Sequence, residues 1–479
     1  MNFARDVVDA APADRMALVE VGREGERREW RFGEVADRSA RLAGTLSGRG
    51  VGRGDLVMTL IGNRADWVLA MVACFRIGAV VLPCNEQLRA KDLKQRLRTC
   101  DPHVILADER SRAELGEASP RCEVIAVPDP RLFEAEAAPA IELEASDPSL
   151  VIFTSGTAGE PKGALHAQRY LPGQQLQADR WLGAGPGDLV WCTAASGWSK
   201  SARNVFVAPW LCGAAALLHD ARFDPHERLE LLAREQVNVL CMAPTEYRVI
   251  AKRADPRPLP GLRRLVAAGE ALNPEVLRAW EEATGLAIHD GYGQTETGQL
   301  TGNLAGEAPR PGSMGRALPG VDLSIEEGEL VLEPATSPTF FLRYVGQEPV
   351  PGRWHTGDRA HADADGFLYF EGRSDDLIIS AGYRIGPFEV ESALVAHPAV
   401  AEAAVVSAPD EERGEVVRAV VVLQAGYAPG DGLARDLQDH VKRETAPYKY
   451  PRVVDFASEL PKTASGKVRR ALLRGQVSL

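Results

Sequence analysis

The sequence predicts an α/β protein: a large N-terminal domain of βαβ-type sheets plus a β-rich subdomain, and a small C-terminal α+β domain. Short apolar runs alternate with helical patterns up to about residue 290, as in parallel strands joined by crossover helices. From about residue 309 to 372 no long helix is evident, and two apolar runs flank Glu326-Glu327-Gly328 as in a hairpin. We therefore predict domains at 1–373 and 374–479, with the subdomain at about 309–372.

The individual elements follow from these patterns in chain order. In the N-terminal domain we predict strands at 55–61, 79–83, 103–107, 189–192, 237–242, 264–268 and 287–290, and helices at about 35–46, 66–77, 90–98 and 204–215. Another helix opens at Asn273-Pro274, with Asn as the cap and Pro at the first helical position. In the C-terminal domain we predict helices at 387–396 and 432–444, strands at 401–407, 416–423 and 452–456, and a final helix.

Composition narrows the class of protein. The chain has 479 residues, 45% of them apolar and 25% charged, which is typical of a soluble globular protein of two or three domains. A net charge of −12 argues against nucleic acid as a partner and against docking on anionic membranes. The seven cysteines are odd in number and include no C-x-x-C pair, so reduced thiols are favoured over disulfides or a zinc site.

The sequence also predicts a cytoplasmic location and no membrane span. Residues 1–6 open no apolar signal run, and the most apolar window, around 68–83, is interrupted by Arg76 and too short to cross a bilayer. Whether the chain forms a homo-oligomer is left open.

One stretch organises the rest of the chain. After the buried-strand pattern Val151-Ile152-Phe153 come ten residues, 154–163, rich in Thr, Ser, Gly, Pro and Lys. Their amides and hydroxyls suit phosphate oxygens, and Lys162 adds positive charge. The P-loop spacing is absent, and taken alone the stretch is equally well a surface connector.

Five further stretches have motif character, and four of them are polar, Gly-bearing and placed where strands end. They are Trp30–Val35, Gly291–Glu296 (Gly-Tyr-Gly-Gln-Thr-Glu), Thr356-Gly357-Asp358, Arg373–Glu391 and Pro461–Lys467. Together with residues 154–163 they make the chain resemble the adenylate-forming (AMP-binding) superfamily over nearly its whole length. Within it, Asp290–Gly298, Ser380–Pro387, Arg413–Val417 and Ala446–Arg452 are most similar to medium-chain acyl-CoA synthetases.

The resemblance implies a two-step reaction with ATP, Mg²⁺ and coenzyme A. A carboxylate attacks the α-phosphate of ATP, which releases pyrophosphate, and the thiol of coenzyme A then displaces AMP. Because the acid and ATP are both anionic, positive groups and a divalent ion are needed in the first step.

The resemblance also assigns roles to single residues. In the ATP and AMP site, the β- and γ-phosphates would be bound by Thr154, Ser155, Gly156, Thr157, Gly159 and Lys162. The adenine would be bound by Gly269, Glu270, Ala271, Asp290, Gly291 and Tyr292, with Gly293 and Gln294 beside them. The α-phosphate would be bound by Thr295, and ribose or phosphate by Asp358, Arg373 and Arg384. Glu296 would hold magnesium, although a carboxylate at a helix start is the plainer interpretation of it. Asp358 could simply cap a turn, and the two arginines could be surface ion-pair residues.

Lys467, which we predict to start the final helix, is assigned to the developing charge of the adenylation step. The resemblance further implies that the small domain rotates about Asp375, withdraws Lys467 and brings in a coenzyme A site. That site would comprise Ala381, Gly382, Tyr383, Arg413, Tyr448, Lys449 and Tyr450, with Gln87 from the large domain. Solvated surface positions are the alternative for the basic residues among them.

The acyl pocket is assigned to Trp198 and Gly293. Relatives that take acetate close the pocket with Trp where this chain has Gly293, so a longer fatty acid or an aromatic acid is expected, although Trp198 could also be plain core. Two other functions stay open: an adenylating enzyme that loads a carrier protein, and a nucleotide-binding scaffold without catalysis.

Overall fold

The structure, a computed structural model, describes residues 1–154, 160–270, 272, 274–462 and 467–474. Its strands, in chain order, are β1 Met16–Val21, β2 Arg27–Arg31, β3 Leu56–Leu60, β4 Val80–Cys84, β5 Val104–Asp108, β6 Glu123–Val127, β7 Pro148–Phe153, β8 Gly163–Ala167, β9 Leu189–Cys192, β10 Ala215–His219, β11 Val239–Met242, β12 Arg264–Ala268, β13 Ile288–Gln294, β14 Gly298–Gly302, β15 Arg316–Ala317, β16 Leu323–Glu326, β17 Glu329–Leu332, β18 Arg343–Tyr344, β19 Trp354–Ala362, β20 Leu368–Arg373, β21 Ile378–Ser380, β22 Tyr383–Ile385, β23 Val400–Asp410, β24 Gly414–Leu423 and β25 Val453–Phe456.

The α-helices lie mostly between these strands. They are α1 Phe32–Gly48, α2 Ala65–Ile77, α3 Ala90–Cys100, α4 Arg112–Ala118, α5 Tyr170–Gly173, α6 Gln175–Gln177, α7 Ser199–Asn204, α8 Val207–Leu211, α9 Pro225–Arg234, α10 Pro244–Arg253, α11 Pro274–Thr284, α12 Pro387–Ala396, α13 Asp431–Glu444 and α14 Arg470–Arg474. Within the described residues, none of the helices combines the length and the apolar character needed to cross a bilayer.

Two large sheets form the N-terminal part. One has seven strands in the order β18-β8-β7-β4-β3-β5-β6, and the other has nine in the order β15-β14-β13-β12-β11-β9-β10-β1-β2. The central strands of both sheets are parallel, with antiparallel strands toward the edges. This confirms the predicted α/β fold class.

The main core lies between the two large sheets and is centred on α2. Every residue of that helix except Asp66 is buried. The core it joins contains Val57 and Leu106 of the seven-stranded sheet and Leu18 and Val190 of the nine-stranded sheet. The apolar window noted in the sequence therefore consists of most of this helix, which is covered on several sides, and of β4. Its one cation, Arg76, pairs with Asp9 at 2.5 Å.

Two smaller sheets follow. The strands β16-β17-β19-β20 form a four-stranded antiparallel sheet that includes the predicted hairpin. The strands β22-β21-β24-β23, with β25 beside β24, form a separate sheet late in the chain. Contacts join this last sheet to the N-terminal part, since Lys252 Nζ on α10 donates to the carbonyl oxygens of Val400 at 2.9 Å and Ala401 at 3.4 Å.

Three local predictions differ from the structure. The predicted helix 204–215 is wrong, because α7, α8 and the buried strand β10 divide that apolar stretch. The strand predicted at 287–290 continues to Gln294, because β14 pairs with it along the Gly-rich motif. The final helix begins at Arg470, so Lys467 precedes it by three residues.

Candidate active site

A cavity of about 1270 Å³ opens where the carboxyl ends of strands from both large sheets face β19, β20 and the C-terminal part of the chain. Seventeen of the residues assigned from the sequence line it: Gln87, Thr154, Lys162, Trp198, Gly269, Glu270, Asp290, Gly291, Tyr292, Gly293, Gln294, Thr295, Glu296, Asp358, Arg373, Asp375 and Lys467. Ser155, Gly156, Thr157, Gly159 and Ala271, and the side chain of Arg384, lie outside the described part of the structure.

Asp358 is the centre of a hydrogen-bond network in this cavity. Its carboxylate Oδ2 accepts from the hydroxyl of Tyr292 at 2.5 Å and from Nε2 of Gln294 at 2.7 Å. Its Oδ1 accepts from Nη1 of Arg373 at 3.3 Å. The residue is only 6% exposed, so these donors fix the orientation of its carboxylate at the cavity wall.

The setting of Asp358 differs from the sequence interpretation. The residue lies within β19, paired with Arg373 of β20, rather than at a turn. Adjacent strands therefore place the carboxylate and the guanidinium opposite each other, which explains how two residues fifteen positions apart meet.

Glu296 and Lys162 meet around a tyrosine that the sequence analysis did not select. The hydroxyl of Tyr344 donates to Oε1 of Glu296 at 2.7 Å, and Nζ of Lys162 lies 5.0 Å from the centre of the Tyr344 ring. No helix begins at Glu296, because a turn leads from it directly into β14. The alternative of a helix-start carboxylate is therefore removed.

The strand ends around residues 154–163 are tied together by hydrogen bonds. The amide of Thr154 donates to the carbonyl of Lys162 at 2.9 Å, and the amide of Lys162 donates to Oγ1 of Thr154 at 3.1 Å. On the nine-stranded sheet, Glu270 accepts from Oγ1 of Thr245 at 2.7 Å. Both segments are thus fixed where they enter the cavity.

Asp290 stands apart from the other carboxylates of the cavity. Its side chain is buried, and its Oδ1 accepts a hydrogen bond from the amide of Gly291 at 2.9 Å. Burial raises the pKa of this carboxyl to about 8, although that hydrogen bond and the charge of Lys200 act in the opposite direction. The neutral acid is therefore the favoured form in the folded protein at neutral pH.

Replacing Asp290 with asparagine is expected to stabilise the protein increasingly as the pH rises from 5 to 8. The folded pKa lies above that of the unfolded chain, so the wild-type free energy of unfolding falls with pH in this window, by up to about 1.4 kcal/mol per pH unit. Asparagine does not ionise and removes that slope. Thermal unfolding of both proteins across the window measures it, with the exposed Asp365→Asn as the control, and a difference that is constant with pH would contradict the assignment.

The structure gives a reason for glycine at position 293 that differs from the one inferred from the sequence. A Cβ at this position would lie 1.9 Å from the carbonyl oxygen of Gly298 on the neighbouring strand, at a register shift between β13 and β14. Glycine is required here by the close approach of two strands. The hypothesis that Gly293 is small in order to deepen a pocket is not supported by this geometry, because a larger side chain meets backbone first.

A second close approach holds Trp198 at the cavity wall. Gly197 has a φ of +91°, and a Cβ on it would lie 2.5 Å from the amide nitrogen of Asn85. The loop after β9 therefore packs directly on the loop after β4, and Trp198 follows it immediately, before α7 begins.

Most residues assigned to coenzyme A lie elsewhere. Ala381, Gly382, Tyr383, Arg413, Tyr448, Lys449 and Tyr450 do not line the cavity, whereas Gln87 does. The exposed rings of Tyr383 and Tyr448 stack with centroids 4.3 Å apart, and the amide of Ala381 donates to the carbonyl of Arg413 at 3.1 Å. Lys449 pairs with Glu389 at 2.5 Å. These residues thus lie apart from the cavity on the C-terminal part, where Ala381, Gly382, Tyr383 and Tyr448 are exposed and the others are half-buried.

Sequence reasoning missed several cavity residues. Tyr344 lies on the two-residue strand β18, and Trp354, whose Nε1 donates to Oε1 of Gln294 at 2.9 Å, opens β19. Lys200 and Arg203 lie on α7. The signal available for these two was the pair of cations directly before an apolar stretch.

Comparison with known proteins agrees with this geometry. The sequence profile of the AMP-binding enzyme family matches residues 4–336, and the profile of the AMP-binding enzyme C-terminal domain matches residues 389–467. The mitochondrial acyl-coenzyme A synthetase ACSM4 of Homo sapiens is 40% identical over 99% of this chain and 90% of its own length. The mitochondrial acyl-coenzyme A synthetase ACSM3 of Pongo abelii is 37% identical over 99% of this chain and 89% of its own length.

Solved structures resemble the whole chain. An acyl-CoA synthetase from Brucella canis is 34% identical, with a TM-score of 0.76, and the match covers 99% of this chain and 94% of that one. The anthranilate CoA ligase AuaEII, in complex with anthranoyl-AMP, is 28% identical, with a TM-score of 0.90, and the match covers 99% of this chain and 97% of that one. A benzoate CoA ligase from Burkholderia xenovorans LB400 is 27% identical, with a TM-score of 0.89, and the match covers 99% of this chain and 100% of that one.

Proposed function

Because this chain belongs to the AMP-binding enzyme family and is an AMP-forming acid–CoA ligase, we propose that it adenylates a medium-chain fatty or aromatic carboxylic acid and passes the acyl group to coenzyme A. The observation that carries the proposal is the shared cavity. The Asp358 network, the Glu296–Tyr344–Lys162 group and Lys467 all line it, although they come from distant parts of the chain.

The Asp358 network fits the ribose of ATP. Asp358 is a buried acceptor whose Oδ1 receives one hydrogen bond, from Arg373, so this oxygen retains capacity for a ribose hydroxyl. Tyr292 and Gln294 fix the carboxylate from the other side. We assign ribose binding to Asp358, and we assign the adenine to the adjoining wall of Gly269, Glu270 and Gly291.

The opposite wall fits the triphosphate. Lys162 is exposed at the cavity, where its ammonium can offset charge on the β- and γ-phosphates. Thr295, which directly precedes Glu296 and lines the cavity, is assigned to the α-phosphate. The acid's carboxylate oxygen attacks the α-phosphorus there, the bond to the bridging oxygen breaks, and pyrophosphate leaves with the charge that Lys162 and Lys467 stabilise.

Glu296 is the residue that would hold magnesium. Among the described residues no group of three or more His, Cys, Asp or Glu side chains gathers to bind a metal. This fits Mg²⁺, which is usually held by one or two carboxylates, substrate phosphates and water. Tyr344 orients the Glu296 carboxylate through its hydroxyl, and the ion would neutralise phosphate charge when bound.

We propose that the second step needs a different arrangement of the domains 1–373 and 374–479. Ala381, Gly382 and Tyr383 lie outside the cavity, so the thiol of coenzyme A would reach the acyl-AMP after a rotation about Asp375. Arg413, Lys449 and the tyrosines Tyr448 and Tyr450 would then contact coenzyme A. For the compartment we propose the cytoplasm, where thiols stay reduced as all seven are here.

The test follows both half-reactions over a panel of carboxylic acids. Pyrophosphate release is measured with ATP and each acid, and thioester formation is measured with and without coenzyme A. We expect both with medium-chain or aromatic acids. Pyrophosphate without thioester would instead favour loading of a carrier protein, and the absence of pyrophosphate with every acid would favour a scaffold without catalysis.

Replacing Tyr344 with phenylalanine is expected to raise the magnesium concentration needed for half-maximal pyrophosphate release by about 10-fold, because partners that orient a metal ligand typically contribute that much. The ring under Lys162 remains, so only the hydrogen bond to Glu296 is lost. A magnesium titration of both proteins measures the shift. The matched control is Tyr369→Phe, which removes a hydrogen bond of 3.3 Å between the Tyr369 hydroxyl and Asp363, two residues that do not line the cavity. Equal magnesium titration curves for wild type and Tyr344→Phe would contradict the assignment.

A further inference from the structure

Arg203 is a buried cation in the wall of the cavity. It lies on α7, five residues after Trp198, and is only 4% exposed. It nevertheless lines the cavity together with Ser199 and Lys200 of the same short helix. Residues three apart on a helix share a face, so Lys200 and Arg203 approach the cavity from one side.

Among the described residues, the guanidinium of Arg203 has no acidic partner. Nη1 donates to Oγ of Ser199 at 3.1 Å and Nη2 donates to Oε1 of Gln299 at 3.5 Å, while Nε has no hydrogen-bond partner in that part of the chain. Within the described residues no carboxylate lies within ion-pair distance of it. A buried charge without a counter-charge is costly, so proteins normally pair it or bind an anion with it.

The neighbouring groups do not supply the missing negative charge. Lys200 donates to the carbonyl of Met242 at 3.0 Å and, in the part of the chain that the structure describes, forms no ion pair. Glu246 is engaged by Arg228 at 3.3 Å, and burial favours the neutral form of Asp290 by raising its pKa to about 8.

The groups beside Arg203 are also without negative charge. Burial, with the charge of Arg203 as the second cause, lowers the pKa of His166 to about 3, so its ring is neutral. The Tyr170 ring lies 4.2 Å from the His166 ring between centroids, and its hydroxyl is buried. The site around Arg203 therefore carries positive charge and donors in excess.

We propose that the acid substrate carries a second anionic group, a carboxylate remote from the reacting one, which Arg203 binds with Lys200 beside it. The proposal rests on the proposed function and names the class of acid within it: a dicarboxylic acid, straight-chain or aromatic, in place of a plain fatty acid. The planar guanidinium presents two parallel N–H donors that match a carboxylate.

The experiment compares acids of equal length that differ only in the second carboxylate. Pyrophosphate release is followed for hexanoate against hexanedioate and for benzoate against the benzenedicarboxylates, within a series from butanedioate to octanedioate. We expect kcat/KM for the best dicarboxylate to exceed that of its monocarboxylate by at least about 10-fold, since a site built for a polar group rejects analogues that lack it.

Two variants connect this preference with Arg203. Arg203→Leu is expected to reverse the ratio of kcat/KM for dicarboxylate over monocarboxylate, so that the monocarboxylate is preferred. Arg203→Lys is expected to give an intermediate ratio, because an ammonium provides the charge without the two parallel N–H donors of a guanidinium. The control is Arg222→Leu, which removes an exposed cation from the same cavity and is expected to leave the ratio unchanged.

Each outcome decides the proposal. A wild-type enzyme that prefers the monocarboxylate at every length overturns it, even if Arg203→Leu does not fold. The proposal is also overturned if Arg203→Leu keeps its melting temperature but loses kcat/KM equally for all acids. Arg203 would then act on the reacting carboxylate or on ATP. Pyrophosphate release with none of the acids would refute the proposed function itself.

Discussion

Replacing Lys467 with alanine is expected to slow pyrophosphate release by about 100- to 1000-fold, the loss typical of removing one preorganised donor from developing charge. Thioester formation from preformed acyl-AMP is expected to stay close to the wild-type rate. The reason is that Lys467 lines the cavity in the arrangement that holds the ATP-site residues together, whereas the second step would use Ala381–Tyr383 instead. Single-turnover assays of each half-reaction measure the two effects.

Lys462 provides the matched control for this variant. It is five residues away and also lines the cavity, but its ammonium pairs with Glu402 at 2.6 Å. Lys462→Ala is therefore expected to retain pyrophosphate release. An equal loss of both half-reactions in Lys467→Ala would contradict the assignment of Lys467 to the first step alone.

Replacing Asp358 with alanine is expected to raise the KM for ATP about 10-fold or more and to lower the free energy of unfolding by about 3 kcal/mol. The substitution removes the acceptor for Tyr292, Gln294 and Arg373 together, and the Tyr292 hydroxyl is buried. It also removes the proposed ribose acceptor. Initial-rate kinetics and denaturant unfolding measure these two consequences separately.

An exposed carboxylate near the same strands serves as the comparison for Asp358. Asp365 lies between β19 and β20 with its side chain 65% exposed, and it pairs with Arg310 at 2.7 Å. Asp365→Ala is expected to change stability by less than about 1 kcal/mol and to leave the KM for ATP unaltered. A normal KM for ATP in Asp358→Ala would refute ribose binding by this residue, whatever its stability.

Much of the fold was predictable because its strands are short apolar runs between helices. The helices α2 and α3 and the strands β9, β11 and β12 were placed within a few residues. The prediction failed at 204–215, where burial makes helix and strand equally apolar, so composition alone does not separate α8 from β10. The strand β1 was missed for a related reason, since its burial pattern lacks strict alternation.

The site was predictable where its residues sit in contiguous motifs, as with Gly291–Glu296 and Thr356–Asp358. Tyr344 was not, because it reaches Glu296 from a two-residue strand forty-eight positions later, and only the pairing of β18 with β8 brings it there. Arg203 was not selected because its lack of a counter-charge is a property of the packed structure. The backbone reason for glycine at 293 was not predictable, because the approach of Gly298 is invisible in the sequence.

The contact between α10 and the last sheet has a consequence for how the chain can drift in sequence. Lys252 donates to the main-chain carbonyls of Val400 and Ala401, and a carbonyl is present whatever side chain the residue carries. Substitutions at 400 and 401 therefore preserve the acceptors as long as the strand keeps its path. The contact therefore depends on the side chain at position 252 and not on the side chains at 400 and 401.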